Sequence, residues 1–364
     1  MPDLDHRFGA GRDFSLGVEE ELFLVDPVTG AQIDASAAVL ERLGPVDGTV
    51  ERELHACQVE LITDVCATAG EATGTIAGLR RAVTATGAGL LGSGTHPAAF
   101  EGTAEITDKE RYERIRDLLG DAVADPVGGL HVHVGMPDPE TAIRAFNGLR
   151  RHLPLLQALS ANSPFRHGRD TGLASAREVT MRGWPRSGVP RAMRDFEDFC
   201  ARSAVLTRAA SVPDYTWFWW KLRPHPRLGT VEVRALDAQS SLEDVAALVA
   251  LVHGLAREAA TNGRLPPALP AEILDEGAFR AARYGTAAEL PDAEGRLTGV
   301  AQLLDEALAL ARPHARDLGS EDELDGVRRL LEQGGGAGRQ RAAYAIGGMG
   351  QLLRETVERT SATG

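Results

Sequence analysis

The chain has 364 residues, of which 43% are hydrophobic and 25% charged, and its formal net charge is −13. This balance supports a large hydrophobic core in one domain or two, and it excludes a disordered chain. The negative charge argues against nucleic-acid binding, which requires a basic face. An anionic ligand would therefore have to be bound by local cations, metal ions or backbone N–H groups.

Cysteine usage and hydropathy indicate where the protein works. Three cysteines, Cys57, Cys66 and Cys200, are an odd number in a long chain, which is typical of reduced thiols in the cytoplasm. Residues 1–13 lack the basic-then-apolar order of a signal peptide. The longest apolar helical run, at 245–256, is too short to span a bilayer. We therefore expect a cytoplasmic protein that does not bind membranes.

In chain order, residues 1–13 are predicted to be a flexible lead, followed by a single domain at 14–364. The first half of this domain mixes strands and helices. Alternating apolar residues and β-branched side chains predict strands at 14–25, 49–53, 59–63, 90–93 and 130–136. Helical periodicity predicts helices at 36–43, 71–88, 109–119 and 137–160.

The second half begins with a polar stretch at 161–188, rich in Arg, Ser and Gly, which is predicted to be a loop. A loop of this length inside a compact chain is more often functional than idle. One helix and two strands are predicted next, at 191–204, 217–223 and 230–235. From residue 242 onward the pattern is almost wholly helical, with a glycine-rich break at 334–338. This distribution favours an α+β fold with a helical C-terminal third.

Acidic, imidazole and guanidinium side chains recur on the predicted strands with period-two spacing. Residues i and i+2 of a strand share a face and lie about 6–7 Å apart. The same-face pairs are Glu19/Glu21, His131/His133 and Glu232/Arg234, and Glu60 stands alone on its strand. Paired carboxylates are costly to bury unless a cation neutralises them, and Mg²⁺ prefers oxygen ligands. We hypothesise that the four glutamates bind Mg²⁺, that one histidine completes a metal shell while the other contacts phosphate or nucleotide, and that Arg234 pairs with a phosphoryl oxygen.

Each pair taken alone has another interpretation. Glu19/Glu21 fits a solvated strand face, His131/His133 fits a structural role or a zinc site, and Glu232/Arg234 fits an ordinary ion pair. The Trp-Phe-Trp-Trp segment at 217–220 fits either hydrophobic core or a substrate wall. The joint occurrence of the three pairs on separate strands favours one shared site. The chain contains no P-loop, no dinucleotide-binding glycine motif and no nucleophile elbow.

Eight segments of the chain, in this order, carry a resemblance to a known family. They are GVEEELFLVDP (17–27), QVELITDVC (58–66), GTHP (94–97), GLHVHVGMPD (129–138), LSANSPF (159–165), GRDTGLAS (168–175), RLGTVEVRALDA (227–238) and GGGAGRQR (334–341). The chain resembles the YbdK-type carboxylate–amine ligases, the second class of glutamate–cysteine ligases, from about residue 14 to residue 357. The resemblance implies a fold similar to the catalytic domain of glutamine synthetase, in which a curved, largely antiparallel sheet forms a funnel with helices packed outside.

The implied reaction is an ATP-dependent amide synthesis. ATP phosphorylates a small carboxylic acid such as glutamate, and an amine then attacks the acyl phosphate. The implied cofactors are ATP and Mg²⁺, or Mn²⁺ in its place, and the implied partners are small molecules. A homodimer is a further expectation, which rests on no residue pattern in the chain.

The resemblance also assigns roles to residues. The implied metal ligands are Glu19, Glu21, Glu60, His131 and Glu232. His133 and Arg234 fall at nucleotide and phosphate contacts, and Glu60, Glu232 and Arg234 are the catalytic candidates. Further contacts to substrate, nucleotide or phosphate are implied for Asn162, Ser163 and Arg169 in the polar stretch, and for Arg339 and Arg341 after the glycine-rich break.

The chain departs from the family pattern where members usually carry Trp, Gln, aromatic residues and an acid. Here these positions hold Arg166, His167, Leu173, Ala176 and Lys221. The departures spare the expected metal ligands but alter expected pocket walls, so they leave the acid and the amine open.

Two other functions remain open from the sequence. One is a zinc-dependent hydrolase in which His131 and His133 bind the metal and Glu60 or Glu232 is the base. The other is a non-catalytic ligand-binding protein on the same fold.

Overall fold

The structure, a computed structural model, describes residues 4–263 and 267–362. The strands are β1 (Leu16–Val25), β2 (Thr49–Arg52), β3 (Gln58–Ile62), β4 (Gly89–Leu91), β5 (Gly129–Gly135), β6 (Phe165–Arg166), β7 (Arg169–Asp170), β8 (Leu222–His225), β9 (Thr230–Asp237), β10 (Glu289–Pro291) and β11 (Leu297–Gly299). The helices are α1 (Ser36–Arg42), α2 (Ala69–Ala85), α3 (Glu110–Leu119), α4 (Pro139–Arg150), α5 (Leu153–Ser160), α6 (Ala176–Met181), α7 (Phe196–Ala210), α8 (Leu242–Thr261), α9 (Ala271–Tyr284), α10 (Val300–Asp317), α11 (Glu321–Glu332) and α12 (Gly335–Ser361). The predicted α+β class is confirmed, and the C-terminal third is helical apart from the β10–β11 hairpin.

One large antiparallel sheet organises the fold. Its strand order is β2-β3-β1-β5-β9-β8, and β4 pairs with the last residues of β1. Every pair of neighbouring strands in this sheet is antiparallel. Among the described strands β2 and β8 do not pair with each other, so the sheet is open. The predicted antiparallel sheet is thereby confirmed, with β1 near its centre.

Alternation along β1 gives the sheet two different faces. Val18, Leu22 and Leu24 point to one face and are buried in the hydrophobic core. The helices α2, α4 and α8 contact the sheet, and α8 is buried along most of its length. Glu19 and Glu21 point to the other face, because they alternate with those apolar residues. The fold therefore presents one face to the helical layer and leaves the second for acidic side chains.

A buried ion pair joins the sheet to the helical layer. Arg80 on α2 donates to both carboxylate oxygens of Glu20, at 2.9 Å from Nε and 2.7 Å from Nη2, and both side chains are fully buried. The same guanidinium donates to the carbonyl oxygens of Gln239 (2.8 Å), Ser240 (3.2 Å) and Thr360 (3.3 Å). One side chain thus holds together α2, β1, the segment after β9 and the end of α12.

The stretch at 161–188, predicted to be a loop, contains regular structure. It forms the β6–β7 hairpin and α6. Ser175 caps α6, because its side chain accepts a hydrogen bond from the backbone N–H of Glu178. These elements are too short for a periodicity argument to find them.

Other boundaries differ from the prediction for local reasons. The helix predicted at 191–204 begins at Phe196, because Asp195 caps it by accepting from the backbone N–H of Asp198. The strand predicted at 217–223 begins at Leu222, because a 3₁₀ turn precedes it. The glycine-rich break lies at Gly334, and α12 begins at the next residue. The β10–β11 hairpin was not predicted.

The lead predicted to be flexible is packed over its described part. Phe8 is buried with its ring 5.7 Å from that of Phe196. The backbone N–H groups of Arg7 and Gly9 donate to the carbonyl oxygens of Pro226 and Met136. Residues 1–3 lie outside the described part of the chain. None of the helices in the described ranges is both long and apolar enough to cross a membrane.

Candidate active site

The register of the large sheet aligns the predicted acids and histidines in one row across four strands, β3, β1, β5 and β9. Directly opposed residues on neighbouring antiparallel strands have side chains within contact distance. The opposed pairs are Glu60 and Glu21, Glu19 and His131, and His133 and Glu232. We call these six residues the acid–imidazole row. The structure therefore brings together all of the predicted metal ligands and His133.

Two groups within the row have the geometry of cation sites. In each group the ligand atoms lie within 4.8 Å of one another; one group is Glu19, His133 and Glu232, and the other is Glu19, Glu60 and His131. Glu19 belongs to both groups. Its Oε2 lies 3.1 Å from His131 Nδ1, and its Oε1 lies 3.2 Å from His133 Nε2. This carboxylate is placed to bridge two cations.

His133 provides a test of whether the row fits a metal ion. Its Nδ1 shares a 3.0 Å hydrogen bond with Thr230 Oγ1, whereas its buried Nε2 has no hydrogen-bond partner. That Nε2 instead faces carboxylate oxygens of Glu19 and Glu232, at 3.2 and 3.7 Å. A ring fixed through one nitrogen, with the other left among carboxylates, is typical of a metal-ligating histidine. The row fits a divalent cation, and its carboxylate majority favours Mg²⁺ or Mn²⁺ over zinc.

The pKa values of the acids Glu60 and Glu53 also support a cation site. Burial raises the pKa of Glu60 well above its usual range, and the nearby carboxylates of Glu19, Glu53 and Glu21 raise it further. Burial and the Glu21 carboxylate raise the pKa of Glu53 to about 7. These buried acids therefore repel one another, and bound cations would relieve that repulsion.

Glu232 has the opposite environment. Burial opposes ionisation, but the guanidinium groups of Arg223 and Arg234 hold the pKa of Glu232 well below its usual range. Arg223 donates through Nε and Nη2 to Glu232 Oε2, each at 2.8 Å, and Arg234 donates to Oε1. The sequence interpretation of Glu232/Arg234 as an ion pair is thus confirmed, while Glu232 also faces His133.

Two cavities flank the row. One, of about 230 Å³, is lined by Glu21, Glu60 and His131 of the row, and also by Glu53, Arg111, Tyr112, Arg177, Trp184, Trp219, Lys221, Arg223 and Arg234. We call it the arginine-lined cavity. The other, of about 260 Å³, is lined by Glu19 and His133 of the row, and also by Arg7, Arg12, Gly17, Thr63, Gly135, Gly229 and Thr230. We call it the glycine-lined cavity. Each candidate cation group has two members that line a cavity: Glu60 and His131 line the arginine-lined cavity, and Glu19 and His133 line the glycine-lined cavity.

Five predicted contact residues are not brought to the row. Asn162 and Ser163 are buried and bind Asp237, the former through its backbone N–H at 2.9 Å and the latter through its hydroxyl at 2.6 Å. The three arginines lie elsewhere on the molecule: Arg169 is exposed on β7, Arg339 pairs with Asp244, and Arg341 pairs with Asp170. The geometry therefore gives no support to nucleotide or phosphate contacts from Asn162, Ser163, Arg169, Arg339 or Arg341.

The departures from the family pattern occupy three places. Lys221 lines the arginine-lined cavity, where its ammonium pairs with the buried carboxylate of Glu178. Burial lowers the pKa of Lys221, although Glu178 opposes that shift. The others lie away from the row: Arg166 and His167 pair with Asp125, and Leu173 and Ala176 border a shallow surface pocket.

Sequence reasoning missed Glu53 and Arg177. Glu53 follows the short strand β2 and points into the arginine-lined cavity, where Tyr112 donates a 3.1 Å hydrogen bond to it. Arg177 lies in α6, inside the stretch predicted to be a loop. A single acid after a strand and one arginine among many carry no spacing signal, so only the packing identifies them.

The chain is similar to known proteins over almost its whole length. The sequence profile of glutamate–cysteine ligase family 2 matches residues 15–362. A protein of Rubrobacter xylanophilus, provisionally named glutamate–cysteine ligase 2-3, is 41% identical over 94% of this chain and 95% of its own length. A protein of Sorangium cellulosum, provisionally named glutamate–cysteine ligase 2, is 36% identical over 91% of this chain and 92% of its own.

Solved structures share the fold at low sequence identity. The bifunctional glutathione synthetase of Pasteurella multocida aligns with a TM-score of 0.67 and 16% identity over 96% of this chain and 52% of its own. The glutamate–cysteine ligase of Francisella tularensis, solved in complex with AMP, aligns with a TM-score of 0.64 and 12% identity. The alignment covers 96% of this chain and 89% of that chain. A complex of the prokaryotic ubiquitin-like protein Pup with its ligase aligns with a TM-score of 0.54 and 11% identity. The alignment covers 95% of this chain and 72% of that chain.

Proposed function

This chain belongs to glutamate–cysteine ligase family 2 and is an ATP-dependent carboxylate–amine ligase, and we propose that it binds Mg²⁺ or Mn²⁺ on the acid–imidazole row. The observation that carries this proposal is the position of Glu19, which is shared by two candidate cation sites between two cavities. Divalent ions at such a position neutralise charge on a phosphoryl group during its transfer.

We propose that the glycine-lined cavity binds the nucleotide. Arg7 and Arg12 line this cavity and add positive charge, and Glu19 and His133 of the row border it. The arginine-lined cavity then binds the acid, because Arg111 and Arg177 line its wall and neither forms an ion pair within 4.0 Å with another described residue. The two substrates would meet at the row from opposite sides.

The proposed reaction has two steps. First, a carboxylate oxygen of the acid attacks the γ-phosphorus of ATP, the bond to the oxygen that bridges the β- and γ-phosphorus breaks, and ADP leaves. Next, the amine nitrogen attacks the acyl carbon, the bond from that carbon to the phosphate oxygen breaks, and phosphate leaves. Arg234, at the edge of the row, would stabilise phosphoryl oxygens as charge develops on them.

The function is tested by ADP release measured over a matrix of acids and amines, beginning with glutamate and cysteine. We expect release only when an acid, an amine and Mg²⁺ or Mn²⁺ are all present, and we expect a chelator to abolish it. Hydroxylamine should trap the acyl phosphate as a hydroxamate and thereby identify the acid. ATP-independent amide hydrolysis by a protein with stoichiometric zinc would contradict the proposal and favour the hydrolase.

We also propose Glu53 as the base that accepts the proton of the attacking amine. It lines the arginine-lined cavity beside Glu21 and Glu60 but belongs to neither candidate cation group. A positioned base typically contributes about 10²–10⁴-fold to a rate. We therefore expect Glu53→Gln to lower amide formation with an alkylamine by about 10²-fold.

Hydroxamate formation with hydroxylamine distinguishes a general base from a metal ligand. Hydroxylamine is neutral at pH 7 and strongly nucleophilic, so hydroxamate formation should fall much less in Glu53→Gln than amide formation does. Glu51→Gln is the matched control, because Glu51 is an exposed acid on β2, two residues before Glu53. An equal loss with both nucleophiles would refute the assignment of Glu53 as the base.

A cytoplasmic site of action is part of the proposal. ATP is abundant there, and burial raises the pKa values of the Cys57 and Cys66 thiols, which keeps both protonated and unreactive. A homodimer also stays a prediction, and light scattering on the purified chain would test it.

A further inference from the structure

Arg177 is a buried cation of the arginine-lined cavity that forms no close ion pair with another described residue. Its residue is 5% exposed, and its Nε has no hydrogen-bond partner. Its Nη2 donates to the backbone carbonyl oxygen of Arg234 at 3.2 Å. Within the described ranges, no carboxylate oxygen lies within 4.0 Å of the Arg177 guanidinium. A buried guanidinium with an unmet donor indicates a site for an anion.

The other buried cations of this cavity are already paired. Lys221 binds the carboxylate of Glu178, and Arg223 and Arg234 both bind Glu232. Their charges are therefore compensated inside the protein. Arg177 differs from them, because it interacts with the buried Asp237 carboxylate only beyond ion-pair distance and its Nε donor is unmet.

The Arg177 guanidinium borders the acid–imidazole row. A Cβ atom added to Gly129 would lie 2.8 Å from Arg177 Nη2, 2.8 Å from Glu21 Oε2 and 3.1 Å from His131 Nε2. These three polar atoms thus surround one small volume, which a glycine leaves open. An anion bound to Arg177 would sit beside residues that we propose as metal ligands.

The backbone of Arg177 is fixed to the sheet that carries the row. Its N–H donates to Ser163 Oγ at 3.2 Å, and Ser163 Oγ donates to Asp237 Oδ2 at 2.6 Å. Ser175, which caps the same helix, donates to Asp237 Oδ1 at 2.9 Å. Asp237 ends β9, so these hydrogen bonds tie the helix to the strand that carries Glu232. Ser163 accordingly acts as a positioning residue for Arg177.

We propose that Arg177 is a catalytic residue that binds the carboxylate of the acid at the point of its phosphorylation. This inference rests on the proposed function. One carboxylate oxygen attacks the γ-phosphorus while the other stays on the guanidinium, whose planar fork matches a carboxylate. The second oxygen becomes the carbonyl oxygen of the acyl phosphate. When the amine adds, that oxygen takes the developing negative charge, and Arg177 stabilises it until phosphate leaves.

The test compares Arg177→Gln and Arg177→Lys with Arg114→Gln. Arg114 is exposed and stacks on Trp217 beside the cavity without lining it, so its replacement removes one nearby charge only. Loss of one preorganised donor to an oxyanion typically costs about 10²–10³-fold in kcat. We expect a fall of about that size in Arg177→Gln, a smaller fall in Arg177→Lys, and none in the control. The dissociation constant of ADP should stay within about threefold of the unmodified chain.

The kcat and KM values decide between roles. A rise in KM for the acid with unchanged kcat would overturn the inference, because uniform binding of a non-reacting group affects KM alone. A parallel loss of ADP binding and thermal stability in both variants would also overturn it, since that marks a structural role. The proposed function fails separately, through absence of acid- and amine-dependent ADP release in the unmodified chain.

Discussion

Glu19→Gln is expected to lower the rate of amide formation by about 10³-fold, which corresponds to about 4 kcal/mol of transition-state stabilisation. The reason is that Glu19 belongs to both candidate cation groups, so its loss weakens both sites at once. Glu60→Gln and Glu232→Gln each affect one group, and for them we expect a loss of about 10²-fold. The measurement is ADP release at increasing Mg²⁺ concentration.

Stability measurements separate this loss from unfolding. Burial and the neighbouring carboxylates raise the pKa of Glu60 and so disfavour its charged form, and a neutral Gln at this position should therefore not lower the melting temperature of the metal-free protein. Glu51→Gln serves again as the control, because Glu51 lies opposite Glu60 on β2 but is exposed. Activity of Glu19→Gln or Glu232→Gln within threefold of the unmodified chain would remove the basis of the metal assignment.

Arg80→Met is expected to lower the free energy of unfolding by about 3–5 kcal/mol, because it leaves the Glu20 carboxylate buried without its cation. Three backbone carbonyl groups also lose a donor. Urea denaturation measures the effect. Arg81→Met is the matched control, since Arg81 is the next residue on α2 and is exposed.

A double variant sharpens that test. Glu20→Leu combined with Arg80→Met removes both charges, so it should recover part of the lost stability. Recovery should be incomplete, because the carbonyl groups of Gln239, Ser240 and Thr360 would still lack the guanidinium. Equal stability of Arg80→Met and Arg81→Met would show that the buried pair is not a main support of the fold.

The sequence predicted the row well, because alternation along a strand fixes which side chains share a face. It placed Glu19 with Glu21 and His131 with His133 before any partner strand was known. The opposed pairs across strands depend on register, which no single strand determines. The structure supplies that information, and with it the bridging position of Glu19.

The sequence is least informative where long-range packing decides the position of a residue. Asn162 and Ser163 were assigned to ligand contacts by resemblance, yet they bind Asp237 across the fold. Arg177 faces the cavity only because a short helix forms inside a polar stretch and is tied to β9. The lead at 1–13 was predicted to be flexible, whereas Phe8 packs against the ring of Phe196 on α7.

Three consecutive glutamates on β1 point to opposite faces of the sheet, and this limits how the length of the gene can vary. Glu19 and Glu21 face the cavities, whereas Glu20 faces Arg80 in the interior. Inserting or deleting a single codon within this strand would exchange the two sides. Glu20 would then point towards the cavities, and a neighbouring glutamate would be buried beneath the helices without a cation to pair with. A substitution in this strand changes one of these three roles, whereas a change in its length would disturb all three at once.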